Sequence, residues 1–137
     1  MAIEKRVYQR IPVQLSAIVV STDDGARIKV TAVELSSDGL GIECNIKQRN
    51  MITPGGSFVR DGRSISVFVD LNLSHEEGQI SKITARCLVV FSRRTSSDQC
   101  KIGLRYADFE NNSHEQLIRF IENSASIAPT VSPSTDK

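Results

Sequence analysis

Between residues 65 and 71, Ile65, Val67, Val69 and Leu71 alternate strictly with Ser66, Phe68 and Asp70. Successive side chains on an extended strand point to opposite faces, so this pattern buries one face of a β-strand and does not form the single stripe of a helix. The same period recurs along most of the chain. Residues 13–20 are β-branched and roughly alternating, and the turn formers Ser21, Thr22, Asp23, Asp24 and Gly25 follow them. A return strand over 28–35 sets Ile28, Val30 and Ala32 on one face, and the polar stretch from Ser36 to Gly39 leads into a third strand over 40–44. Further strands are expected over 80–92 and 100–107, separated by a turn at 96–98.

Residues 45–63 lose this periodicity and contain Pro54, Gly55, Gly56 and Gly62, which predicts a loop with at most one short element. Beyond Phe109 the period changes. Leu117, Phe120 and Ile121 fall at i, i+3 and i+4, and Ser113 with Gln116 has capping-box spacing, so a helix is expected over 114–123 with its apolar stripe in the core. Residues 124–137, with Pro129 and Pro133 and little apolar content, read as a disordered tail. About seven strands at hairpin spacing and one terminal helix make the chain mainly β, a small antiparallel β-barrel.

At 137 residues the chain suits one domain with its own core, over 13–123, preceded by a flexible arm over 1–12. Its 17 Lys plus Arg nearly cancel its 16 Asp plus Glu, which removes the bulk positive field of a protein that coats nucleic acid or anionic membrane. An anion must therefore be met by a local cluster. No apolar run approaches the roughly 20 residues of a membrane span, and the first ten residues lack the apolar core of a signal peptide, so a cytoplasmic protein is expected. Cys44, Cys87 and Cys100 read as reduced packing residues. His75 and His114 lie far apart in polar surroundings without metal-ligand spacing, and neither a metal nor a cofactor is expected.

Two local features have ligand chemistry. Arg6 and Arg10 form an RxxxR spacing just before the first strand, and Glu34, Ser36 and Gly39 form an ExSxxG turn between the second and third strands. A guanidinium fork meets the adjacent O6 and N7 acceptors of guanine with two parallel hydrogen bonds, stacks on the base, or pairs with a phosphate oxygen. A carboxylate accepts from N1–H and the 2-amino group on guanine's other edge, a pattern adenine lacks. If Glu34 and Ser36 are both extended, they point to one face, and Gly39 supplies either a positive φ or a close backbone approach. Each feature alone also occurs as a solvated lead-in or an ordinary turn.

In this order and setting the two motifs resemble those of the PilZ family, RxxxR followed by [DN]xSxxG. The run from Lys101 to Phe109 looks like that family's Gly-containing last strand, and Leu88 to Arg93 resembles the strand before it. The resemblance covers nearly the whole chain, about residues 5–122, and implies a six-stranded barrel that binds cyclic di-GMP through Arg6, Arg10, Glu34, Ser36 and Gly39. Glu34 departs from the pattern, which has Asp or Asn there, and its extra methylene moves the carboxylate by about 1.5 Å, one carbon–carbon bond. Arg93 and Arg94, at a strand end, read as a solvated turn flank or an extra phosphate contact, and Arg105, on one strand face with Lys101 and Gly103, is a weaker candidate to border the site.

The resemblance implies a non-catalytic cyclic di-GMP receptor or adaptor acting on a protein partner in motility, exopolysaccharide, biofilm or virulence control. The alternative is a degenerate barrel serving as a ligand-independent interaction module. An enzyme acting on the dinucleotide is disfavoured, since phosphodiester hydrolysis commonly uses clustered carboxylates and histidines to hold metal ions, and the sequence shows no such cluster.

Overall fold

The computed structural model describes residues 10–74 and 78–131. Six strands close an antiparallel barrel: β1 (Ile11–Ser21), β2 (Arg27–Leu35), β3 (Gly39–Cys44), β6 (Ser66–Ser74), β7 (Ile80–Ser96) and β8 (Gln99–Phe109). Around the barrel they run β1, β2, β3, β8, β7, β6 and back to β1. Closure leaves the barrel sheet itself without an unpaired edge strand among the described residues. The alternation in sequence becomes the alternation of inside and outside, with Val67, Val69, Leu71 and Leu73 in the core beside Ala17, Val19, Ile28, Val30 and Ala32.

The first strand starts two residues earlier than expected, so residues 11 and 12 belong to the barrel rather than to an arm. Pro12 lacks the N–H of a regular ladder, and the β1–β2 register shifts between Pro12 and Leu15, which accommodates it at a bulge. This bulge leaves Ile11 buried and opposite Leu35, with Arg10 at the barrel wall.

Residues 45–63 are more structured than a loop. Asn45 caps α1 (Ile46–Ile52) through a reciprocal pair: Gln48 N–H donates to Asn45 Oδ1 at 2.8 Å, and Asn45 N–H donates to Gln48 Oε1 at 2.9 Å. Ile52 then enters the core. A 3₁₀ turn (Pro54–Gly56) leads to a small hairpin, β4 (Val59–Arg60) with β5 (Arg63–Ser64), whose Asp61 and Gly62 both take positive φ. The helix escaped a reading by apolar periodicity because seven residues are too few to repeat a face.

The terminal helix α2 (Ser113–Val131) is longer than the expected span and continues through much of the stretch read as a tail. A helix already anchored on the barrel extends at little cost per residue, and Ala125 and Ala128 are strong helix formers. Leu117 and Ile121 are buried against the barrel with Phe120 packed beside them, as the apolar stripe predicts. The expected capping box is not formed. The Ser113 hydroxyl instead accepts from the Thr84 N–H at 3.0 Å, and the Gln116 carboxamide oxygen accepts from Ser81 Oγ at 2.9 Å, so both side chains tie the helix to β7.

All three cysteines are free and buried, in keeping with a packing role. No helix among the described residues is long and apolar enough to cross a membrane.

Candidate ligand-binding face

Arg10 and Glu34 meet at the junction of β1 and β2. The Arg10 guanidinium lies just ahead of Ile11, and its Nη1 donates to Glu34 Oε1 at 3.0 Å. The other carboxylate oxygen, Oε2, accepts from Lys101 Nζ at 3.1 Å, although Lys101 is 67 residues away in sequence. The Lys101 hydrogen bond, aided by Arg10, holds the Glu34 carboxyl below its ordinary pKa against the opposing effect of burial. The acid is therefore ionised at neutral pH and bridges two cations.

Ser36 plays a different part from the one its spacing suggests. β2 ends at Leu35, and Ser36 turns beneath the chain, only 2 % exposed. Its hydroxyl lies 2.5 Å from Asp38 Oδ1 and accepts from the Asp38 and Gly39 N–H groups at 3.3 and 3.2 Å, while its own N–H donates to the Gly39 carbonyl at 2.9 Å. The turn is pinned to β8 by the Tyr106 N–H, which donates to the Asp38 carbonyl at 3.1 Å. Glu34 and Ser36 thus do not share a face; Ser36 shapes the turn from below.

Gly39 is required by proximity and not by dihedral angle. It is not among the positive-φ residues described, but a Cβ on it would fall within 3.0 Å of the Leu104 carbonyl oxygen. At two more glycines nearby the space of a Cβ is likewise taken by neighbours. Gly41 pairs with Gly103 in the β3–β8 ladder; the Phe91 ring lies over Gly103, and Glu34 and Lys101 close over Gly41. The Arg93 guanidinium stacks on the Phe91 ring at 5.2 Å.

Together these elements form a pocket of about 160 Å³ whose lining includes Arg10, Asp38, Gly39, Phe91, Gly103 and Arg105. Larger cavities of about 570 and 590 Å³ occur elsewhere, but neither Arg10 nor Gly39 lines them. The smaller pocket is the one beside the Arg10–Glu34 pair: Arg10 lines it together with Gly39, Gly103, the Phe91 ring, Asp38 and Arg105, and Glu34 reaches it through Arg10. Of the residues singled out in sequence, Arg10, Glu34 and Gly39 are brought together, Ser36 supports them, and Arg6 lies outside the described residues. Gly41, Phe91 and Lys101 were missed as site residues. The similarity of residues 88–93 and 101–109 to the family's last two strands pointed toward Phe91 and Lys101, and nothing in the sequence pointed toward Gly41.

The sequence matches the PilZ domain family over residues 4–123. The chain belongs to the PilZ family. Solved PilZ-type structures agree in fold at low identity. The YcgR PilZ domain from Escherichia coli, solved with c-di-GMP, is 15% identical with a TM-score of 0.51, covering 92% of this chain and 96% of that one. The Bacillus subtilis inhibitor of motility MotI/DgrA is 16% identical with a TM-score of 0.62, covering 89% of this chain and 52% of its own. The Borreliella burgdorferi PlzA protein, in complex with c-di-GMP, is 7% identical with a TM-score of 0.51, covering 94% of this chain and 55% of its own. This PilZ chain therefore spans about half the length of the last two. A comparison with curated proteins finds no match.

Proposed function

We propose that this PilZ domain is a non-catalytic receptor for cyclic di-GMP that transmits binding to a protein partner in the cytoplasm, in control of motility, exopolysaccharide, biofilm or virulence. The observation that carries the reading is the convergence of Arg10 and Glu34, 3.0 Å apart, beside a pocket lined by Gly39 and Gly103 on a PilZ barrel. Arg10 supplies a fork for guanine O6 and N7 or for phosphate, Glu34 an acceptor pair for N1–H and the 2-amino group, and Gly39 the close β3–β8 approach that sets the turn beside them. The pocket is too small for a whole dinucleotide, so the rest of the ligand lies on the outer surface. Arg6, which lies outside the described residues, supplies a second fork from the arm over residues 1–10. Two of the similar structures, YcgR and PlzA, were solved with c-di-GMP, and a third is named an inhibitor of motility, which supports the ligand and the motility branch of the reading.

One feature favours the alternative of a ligand-independent interaction module: both oxygens of Glu34 are engaged within the chain, by Arg10 and by Lys101. Calorimetric titration with cyclic di-GMP, with cyclic di-AMP and GTP as controls, separates the two. Saturable binding of cyclic di-GMP alone supports the receptor; no heat from any of the three leaves the interaction module.

A further inference from the structure

Lys101 has a carboxylate directly opposite it in the β3–β8 ladder, Glu43, but its ion pair is with Glu34 on β2, across the whole width of β3. The residue between them explains the choice. Glu34 is registered against Gly41. A Cβ on Gly41 would stand 3.1 Å from Lys101 Cε and 3.2 Å from Glu34 Oε1, so any side chain there would crowd the path along which the two meet. The pair is also sheltered: the side chains of Lys101 and Glu34 are 19% and 30% exposed, whereas Arg10, the other cation on Glu34, is 60% exposed. Of the two cations, Lys101 is the better placed to hold the carboxylate still.

We propose that Lys101 is a positioning residue for nucleotide recognition, pinning the Glu34 carboxylate over the vacant side of Gly41 so that a glutamate serves where the PilZ pattern has Asp or Asn. The inference rests on the cyclic di-GMP reading above. The longer side chain has an additional rotatable bond, and immobilising it at the moment of binding would cost affinity; an ion pair formed beforehand removes that cost. Each carboxylate oxygen has two lone-pair sites, so Oε1 and Oε2, each with one cation, keep one site apiece for N1–H and the 2-amino group of guanine.

The test combines Lys101→Met and Lys101→Arg in the full chain, each in wild-type and Glu34→Ala backgrounds, with thermal melting to verify folding. Two quantities are read: affinity for cyclic di-GMP by calorimetry, and the titration midpoint of the Glu34 carboxyl by carbon-detected NMR without nucleotide. The charged groups that face this carboxyl among the described residues are Arg10, ahead of β1, and Lys101, on β8. In Lys101→Met the midpoint rises and affinity falls about tenfold, the scale of one charge-assisted hydrogen bond. Lys101→Arg recovers a large part of both. In the Glu34→Ala background Lys101→Met changes affinity by less than about twofold, because a positioning residue has nothing left to position.

An unmoved midpoint in Lys101→Met overturns the assignment. So does an equal loss of affinity with and without Glu34, which would make Lys101 a direct contact of the nucleotide. If wild type binds no cyclic di-GMP while the midpoint shifts as expected, the receptor reading has failed, and the proposal of a role in recognition fails with it, although the ion pair exists. If wild type binds and the midpoint does not shift, the fault lies with Lys101 alone.

Discussion

Gly39 passes so close to Leu104 that the missing Cβ would fall within 3.0 Å of the Leu104 carbonyl oxygen. The obstacle is backbone in a paired strand and cannot swing aside as a side chain would. Gly39→Ala should therefore part β3 from β8 locally, at a cost of about 1–3 kcal/mol, the range for overpacking a well-filled site. A lowered thermal midpoint and weaker cyclic di-GMP binding are expected together. An unchanged melting curve would contradict the geometry.

Arg10→Ala should behave in the opposite way. The Arg10–Glu34 pair is exposed, so its loss costs stability no more than about 1 kcal/mol, whereas removing a charge-assisted contact to the nucleotide weakens binding about tenfold or more. Arg6→Ala should match it in affinity. Calorimetry and melting on both variants check this, and wild-type affinity in either removes that arginine from the site.

Ser36→Ala falls between these cases. The hydroxyl is buried and accepts from two turn N–H groups, so its loss leaves unsatisfied backbone donors and should cost about 1–3 kcal/mol. Its effect on binding follows from a loosened turn. Stabilising the fold with an osmolyte should therefore recover affinity in Ser36→Ala and not in Arg10→Ala.

At Glu34, the family's own aspartate should be a poorer residue here. Glu34→Asp shortens the side chain by about 1.5 Å, one carbon–carbon bond, and cannot keep both the 3.0 Å contact to Arg10 and the 3.1 Å contact to Lys101. Weaker binding than wild type is expected, and tighter binding would refute the account. The pH dependence has a definite sign. The folded-state pKa of Glu34 is depressed below its ordinary 4.5, so the contribution of its ion pairs is present above that value and is lost as pH falls through the lower folded value. Cyclic di-GMP affinity, measured down through this window, should fall with it.

Burial pushes the Cys44 thiol up to about 11 and the Cys87 thiol to about 12. Neither supplies thiolate near pH 8, so an alkylating reagent should modify the native protein only as fast as it opens and the denatured protein at once. The sign for stability is the reverse of that for Glu34. The contribution is full below the ordinary thiol value of 9.0 and declines as pH rises toward the folded values, so alkaline melting should show a falling midpoint over that range.

The strands of the barrel and the side chains inside it were legible from the sequence, because a period of two is a local property: Val67, Val69 and Leu71 declare their face without reference to any other strand. The terminal helix declared its core face in the same way, through Leu117 and Ile121. Arg10, Glu34 and Gly39 were legible as spaced residue types whose chemistry suits guanine. Tertiary structure alone decided what each of them touches. Closure of the barrel places β8 against β3, and so brings Lys101 across Gly41 to Glu34 over a separation of 67 residues, where no local spacing could announce it. It also decided that Ser36 lies beneath its turn and that Gly39 is needed for the carbonyl of Leu104. These are consequences of which backbone passes close to which, and that depends on strand order and register rather than on any one stretch of chain.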